Sequence, residues 1–222
     1  MKKGTLTLIL TLVLVGVCYS QESVNINLSD AALSAVVDQI DRKAQTLCEC
    51  ISYIGSSHSK LTMSQKQDII KYEIPNLFWI YKDRIVTTSS GVKGSVIRKK
   101  TIIQYFQNLL RQSKQPINRE VRYELMYDKV FSDDSIKDLE SWERCDDQDN
   151  CQVWRQKVRF VQKYYIISHD INQNVEIWEK EKVVREEIDQ KYMYVYLIVR
   201  KDDKRKIALL GDIYMTERLN TK

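Results

Sequence analysis

Histidine, proline and glycine are scarce: 2, 2 and 6 of 222 residues. With only His58 and His169 to draw on, a histidine-centred triad or a His-rich metal site has almost no material, and both histidines read as exposed loop residues. So few glycines leave no G-x-G-x-x-G, no P-loop G-x-x-x-x-G-K-[ST] and no G-x-S-x-G nucleophile elbow. H-E-x-x-H is missing as well. Little Gly and Pro together with 43% hydrophobic residues excludes a disordered or collagen-like chain. No apolar run after residue 20 approaches the roughly 20 residues that a bilayer span takes. A strong excess of one charge is lacking too. The 35 basic and 30 acidic side chains leave +5, well short of what nucleic-acid binding demands.

What is present starts with an export signal. Met1-Lys2-Lys3, an apolar run over residues 6–17 and Cys18-Tyr19-Ser20 have the order of a secretory signal peptide. Residues 1–20 are therefore expected to be removed, leaving one domain over 21–222 in the periplasm or outside the cell. The alternative is a lipid anchor through Cys18, although Val17 stands where a lipoprotein signal has a small residue. Loss of Lys2 and Lys3 lowers the net charge to +3.

Export permits disulfides. Cys48 and Cys50 lie two apart on a helical pattern, so their side chains point about 200° apart and cannot join each other. Cys145 and Cys151 bracket the polar turn Asp146-Asp147-Gln148-Asp149-Asn150, and a staple between them is the simplest pairing. Free thiols and cross-pairing remain alternatives. Cys-x-Cys and Cys-x5-Cys are not usual zinc spacings. The acids of the turn lack the central glycine and the spacing of a calcium loop. No metal or cofactor is expected.

Apolar residues recur at Leu33, Val36, Val37, Ile40, Ala44, Leu47, Ile51 and Ile54, one face of a long helix capped by Ser29 or Asp30. Gly55 ends it. Ser64 and Gln67 have the capping-box spacing for a second, shorter helix, broken by Pro75. Residues 77–81 and 85–88 read as extended. Thr101 and Gln104 open a third helix with Ile102, Ile103, Phe106, Leu109 and Leu110 inward. The period then drops from 3.6 to 2. Trp154, Val158 and Phe160 alternate with Arg155, Lys157, Arg159 and, further on, Lys163. Residues 192–199 are apolar on both faces, as in a strand covered on both sides. Residues 207–215 form the last strand, with Gly211 at a bulge or close approach. Helices followed by hairpin-connected strands indicate an α+β domain: three N-terminal helices on a mainly antiparallel sheet of about five to six strands.

The residues Ile74-Pro75-Asn76-Leu77-Phe78, Asp83-Arg84-Ile85, Ser89-Ser90-Gly91 and the run 101–109, with the final hairpin, resemble the NTF2-like superfamily. That is the cone-shaped fold shared by nuclear transport factor 2, ketosteroid isomerase and polyketide cyclases of the SnoaL type. The whole is similar to exported NTF2-like proteins of Bacteroidetes. The resemblance implies a curved sheet closing an apolar cone, and often a homodimer through the sheet's outer face. Catalytic members work inside the cone with an acid or a histidine. Asp83 and Asp212 are the nearest carboxylates, but no catalytic position of the family can be matched here.

Alternation makes Tyr123, Tyr127, Trp154, Tyr194 and Tyr196 candidate pocket residues, joined by Trp79 and Asp212; ordinary core packing is the plainer use of the aromatics. The expected function is binding of a small ligand or a protein partner without catalysis. One alternative is an isomerase- or cyclase-type enzyme using a cavity carboxylate. Another is a module that binds glycan or polyanion through the basic face of Arg155, Lys157, Arg159 and Lys163. A charged strand face is also simply what solvent and edge protection favour.

Overall fold

The computed structural model describes residues 28–57, 59–90, 96–114, 119–125, 142–145, 150–169 and 181–220. The expected signal peptide with Cys18, and also His58, Tyr127 and the turn 146–149, lie outside them.

The first helix, α1, runs Asp30–Gly55, and the Ser29 hydroxyl accepts from the Ala32 N–H at its start. Leu33, Val36, Ile40, Ala44, Leu47, Ile51 and Ile54 are buried along one side, the stripe that steps of three and four produce. Lys66, only 3% exposed, reaches back from the next helix and donates its ammonium to the carbonyl of Ser56, the C-cap of α1. A cation there satisfies an orphan carbonyl at the negative end of the helix. Burial lowers the Lys66 pKa.

Helix α2 spans Met63–Asp68, and its capping box is Thr62 with Gln65, two residues before the expected Ser64 and Gln67. The Thr62 side chain, not that of Ser64, takes the N3 amide. The chain continues as a π-helical turn, Ile69–Glu73, and a 3₁₀ turn, Ile74–Leu77, which holds Pro75. The extended segment expected over 77–81 is not a strand. Phe78 makes an isolated bridge to Leu210, and Ile80 adopts φ 47°, ψ 59°, which turns the chain into a second 3₁₀ turn, Tyr81–Asp83.

Strands β1 (Ile85–Ser90) and β2 (Val96–Thr101) form a hairpin ahead of α3 (Ile102–Gln112), whose capping box is Thr101 with Gln104 as expected. Among the described residues five strands follow: β3 (Arg119–Leu125), β4 (Glu143–Arg144), β5 (Cys151–His169), β6 (Glu181–Arg200) and β7 (Lys206–Asn220). The sheet order is β2-β1-β7-β6-β5-β3, with β4 also on β5. Between the described strands all pairings are antiparallel except β1 with β7, so the fold is α+β with a mixed sheet. Side chains strengthen that parallel seam. The Ile85 N–H donates to Asp212 Oδ1 at 2.7 Å, and the Met215 N–H donates to Thr87 Oγ1 at 2.7 Å.

Helices α1 and α3 lie against one face of the sheet, where Phe106, Ile40, Ile54, Val158, Met193, Leu197 and Leu210 form the main core. A smaller cluster, Val153, Tyr196 and Ile198 with Trp79, Cys145, Cys151, Tyr194 and Leu209, lies on the other face, because neighbouring residues of a strand point to opposite sides. Among the described residues no helix is long and apolar enough to cross a membrane.

Candidate functional site

On β6 the odd positions Met193, Val195 and Leu197 face the helices, so Lys191 and Asp189 continue the same inward row. On β5 the even positions Trp154 and Val158 do so, and Gln162 follows them. The apolar rows therefore end in polar side chains at one end of the core. A cavity opens there, walled by Ala44, Leu47 and Ile51 of α1, Ile102, Tyr105 and Phe106 of α3, and Val86, Thr88, Met193 and Ile213 of the sheet. Cys48, Gln162 and Lys191 complete the lining. The space between the walls, open mouth included, is about 520 Å³, of which about 30 Å³ admits the centre of a water molecule. The enclosed part is room for two or three waters, so a compact ligand would lie partly in the open mouth.

The polar end is a network. The Lys191 ammonium donates to Gln162 Oε1, which aims the Gln162 amide at Cys48, with Nε2 3.5 Å from Sγ. Lys191 Nζ lies 3.6 Å from Asp189 Oδ2. Gln162 and Asp189 are each 4% exposed. Lys191 is the one charged residue among the lining side chains. Burial pushes the Cys48 thiol up to about 11, the Gln162 amide and the Lys191 charge opposing it.

The opposite face of the sheet carries a second constellation. Arg155 stands across from Tyr196, Lys157 from Tyr194 and Arg159 from Tyr192. Lys157 Nζ sits 4.0 Å from the centre of the Tyr192 ring, and the Arg155 guanidinium 4.8 Å from that of Tyr194. Tyr192 and Tyr214 stack with centroids 5.0 Å apart, and Tyr194 meets both edge-on. Arg155 pairs with Glu143 at 2.7 Å, and that hydrogen bond, outweighing burial, raises the guanidinium pKa. Lys163 pairs with Glu186 at 2.6 Å, which raises its pKa in the same way. Arg84 donates to the Tyr196 hydroxyl at 2.9 Å and stands 3.9 Å from Asp212. Burial, then the neighbouring Asp212, raises the Tyr214 phenol.

The expected pocket residues divide between the two faces. Trp154 is buried in the helix-facing core. Trp79, Tyr194 and Tyr196 belong to the other side, so they accompany the basic row. Asp212 is on that side too, bonded to the Ile85 amide. Its position follows from a bulge. Met193 pairs with Ile213 and Val195 with Leu210, so Tyr194 alone faces Gly211 and Asp212, and the extra residue resets the alternation of β7. The bulge or close approach expected at Gly211 is thus present, and a Cβ there would lie 2.4 Å from Tyr196 Cε2. Tyr123 sits on β3 opposite Tyr164 in register, and Tyr127 is outside the described residues. The basic row shares one face of β5 as expected.

The staple between Cys145 and Cys151 is not formed in the structure; no disulfide joins them. The Cys145 N–H donates to the Val153 carbonyl at 2.8 Å, so Val153 is its cross-strand neighbour and Cys151 is diagonal to it. Diagonal positions are roughly 7–8 Å apart, beyond the usual disulfide span.

Gln162, Lys191 and Asp189 were not singled out from the sequence, and Cys48 was considered there only for disulfide pairing. The signal was there: a lysine and an aspartate on the inward parity of an apolar strand. No group of three or more His, Cys, Asp or Glu side chains placed to hold a metal occurs among the described residues. Comparison with protein-family models and with curated proteins finds no match.

Proposed function

We propose that this chain is an exported ligand-binding domain that holds a compact, mostly apolar molecule in the helix–sheet cavity and performs no catalysis. The observation that carries the reading is the cavity itself, an apolar lining with one charged group, Lys191, at its polar end. Apolar walls supply affinity, and a few placed polar groups fix orientation. Lysine and amide donors call for an acceptor or anionic end on the ligand. An NTF2-like cone would use the same space between its long helix and its sheet.

An isomerase-type reaction needs an available carboxylate in that space. Asp212 faces the other side of the sheet, and Asp189 is engaged with Lys191. Both arrangements favour binding over proton transfer.

The test is a thermal-shift and calorimetry screen of small aromatic and short-chain carboxylates against amines and alcohols of the same size. Carboxylates should bind, and Ile213→Trp, which fills the cavity, should abolish binding while the protein stays folded. Equal binding by the filled variant would reject the cavity as the site.

A further inference from the structure

The cation and tyrosine face of the sheet is a separate matter from the cavity. Four cations, Arg155, Lys157, Arg159 and Lys163, stand on one side of β5, every second residue except for a gap at 161. Their charges are unequally balanced. Glu143 neutralises Arg155 at one end and Glu186 neutralises Lys163 at the other. Lys157 and Arg159, both exposed, have no carboxylate within salt-bridge distance among the described residues. They lie roughly 7 Å apart along the strand. The uncompensated charge is thus concentrated at the middle of the row.

The tyrosines decide what such a face can recognise. Tyr192 is stacked on Tyr214 and approached by Lys157, and Tyr194 is approached by Arg155. The ring faces are occupied by one another and by cations. Single-stranded nucleic acid needs open ring faces for its bases, and a membrane surface needs apolar groups to insert. Side chains on a strand stand off the sheet, so this row offers solvent its ammonium, guanidinium and phenol ends, all hydrogen-bond donors. Donors of positive charge spaced along one strand and packed against tyrosine rings suit an extended polymer bearing oxyanions. We infer that the face centred on Lys157 and Arg159 binds an acidic polysaccharide, through its carboxylate or sulfate groups.

The experiment uses the full chain with heparin as the sulfated probe, polygalacturonate as the carboxylated one, and dextran and oligo(dT) as controls. At least one acidic glycan should bind and dextran should not. Releasing counterions from two contacts predicts a loss of about tenfold in affinity between 50 and 200 mM salt. Lys157→Ala with Arg159→Ala should weaken binding by about tenfold and flatten that salt dependence. Lys99→Ala with Lys100→Ala removes equal charge from β2 and should leave binding unchanged, and far-UV circular dichroism checks that both variants fold. Heparin against polygalacturonate tells sulfate from carboxylate recognition. Several results would overturn the inference: neither acidic glycan binding, oligo(dT) binding more tightly than both, or the β2 variant losing as much as the β5 variant. So would a dimer in sedimentation that Lys157→Ala with Arg159→Ala dissociates, since the face would then belong to a second copy.

Discussion

The side-chain amide of Gln162 on β5 donates to the sulfur of Cys48 on α1 at 3.5 Å, and Lys191 holds that amide in place from β6. The contact ties the long helix to two strands at the polar end of the cavity. It also places the Cys48 sulfur where occupancy of the cavity would alter its surroundings.

Burial pushes the Cys48 thiol up to about 11 and the Cys50 thiol up to about 12. In the unfolded chain both titrate near 9.0. Between those limits the unfolded state binds fewer protons than the native state, so stability is full below pH 9 and falls as pH rises through 11. Wild type should lose on the order of 2 kcal/mol more than Cys48→Ala between pH 8 and 11. Urea unfolding at several pH values measures this. Parallel curves for the two proteins would show that Cys48 ionises as readily folded as unfolded.

A ligand in the cavity should shield the same thiol. Alkylation of Cys48 by a small iodoacetamide-type reagent at pH 8 is expected to be slow, and slower still with a bound carboxylate. Mass spectrometry of the Cys48 peptide reads the rate. Full-speed labelling in the presence of saturating ligand would place that ligand elsewhere.

Gly211→Ala is expected to destabilise by about 1–3 kcal/mol, because the added methyl overpacks against a buried ring and a backbone carbonyl. The added Cβ would meet Tyr196 Cε2 at 2.4 Å and the Tyr194 carbonyl at 3.0 Å. In the Tyr196→Ala background the same change should be milder, with the backbone contact still felt. A double-mutant cycle by chemical denaturation gives the coupling; additive effects would mean the ring is not the obstacle.

Ile80 holds a left-handed backbone, φ 47°, although it is β-branched, and its side chain is 37% exposed. That conformation costs about 1–2 kcal/mol for a residue of this kind. Ile80→Asn relieves that cost but gives up a side chain of which nearly two thirds is buried, so the two effects should nearly cancel, with stability unchanged within about 0.5 kcal/mol. A lower melting temperature would show that the isoleucine side chain matters more than its backbone.

Much of the fold is legible in residue spacing. Ser29, Thr101 with Gln104, and the apolar stripe of α1 are local signals, settled within a few residues, and they match the helices found. The alternation that separates Arg155, Lys157 and Arg159 from Trp154 and Val158 is equally local. The misplacements have non-local causes. Tyr194 and Tyr196 share the basic row's face because of pairing with β5, which no window of sequence contains. Asp212 depends on one unpaired residue in β7. Thr62 and Ser64 each have a glutamine three residues on, so spacing alone does not choose between them, and the structure uses Thr62. The cavity's polar end joins Cys48, Gln162 and Lys191 from three distant stretches, so only the assembled sheet brings it into view.

The bulge at Gly211 and Asp212 has one more effect. Beyond it, what each side of β7 displays is governed by how many residues the strand contains rather than by their chemistry. Exchanging one amino acid for another leaves that assignment intact, whereas adding or deleting one would exchange the two displays. An ordinary substitution on one side of the sheet therefore leaves unchanged which residues the other side presents.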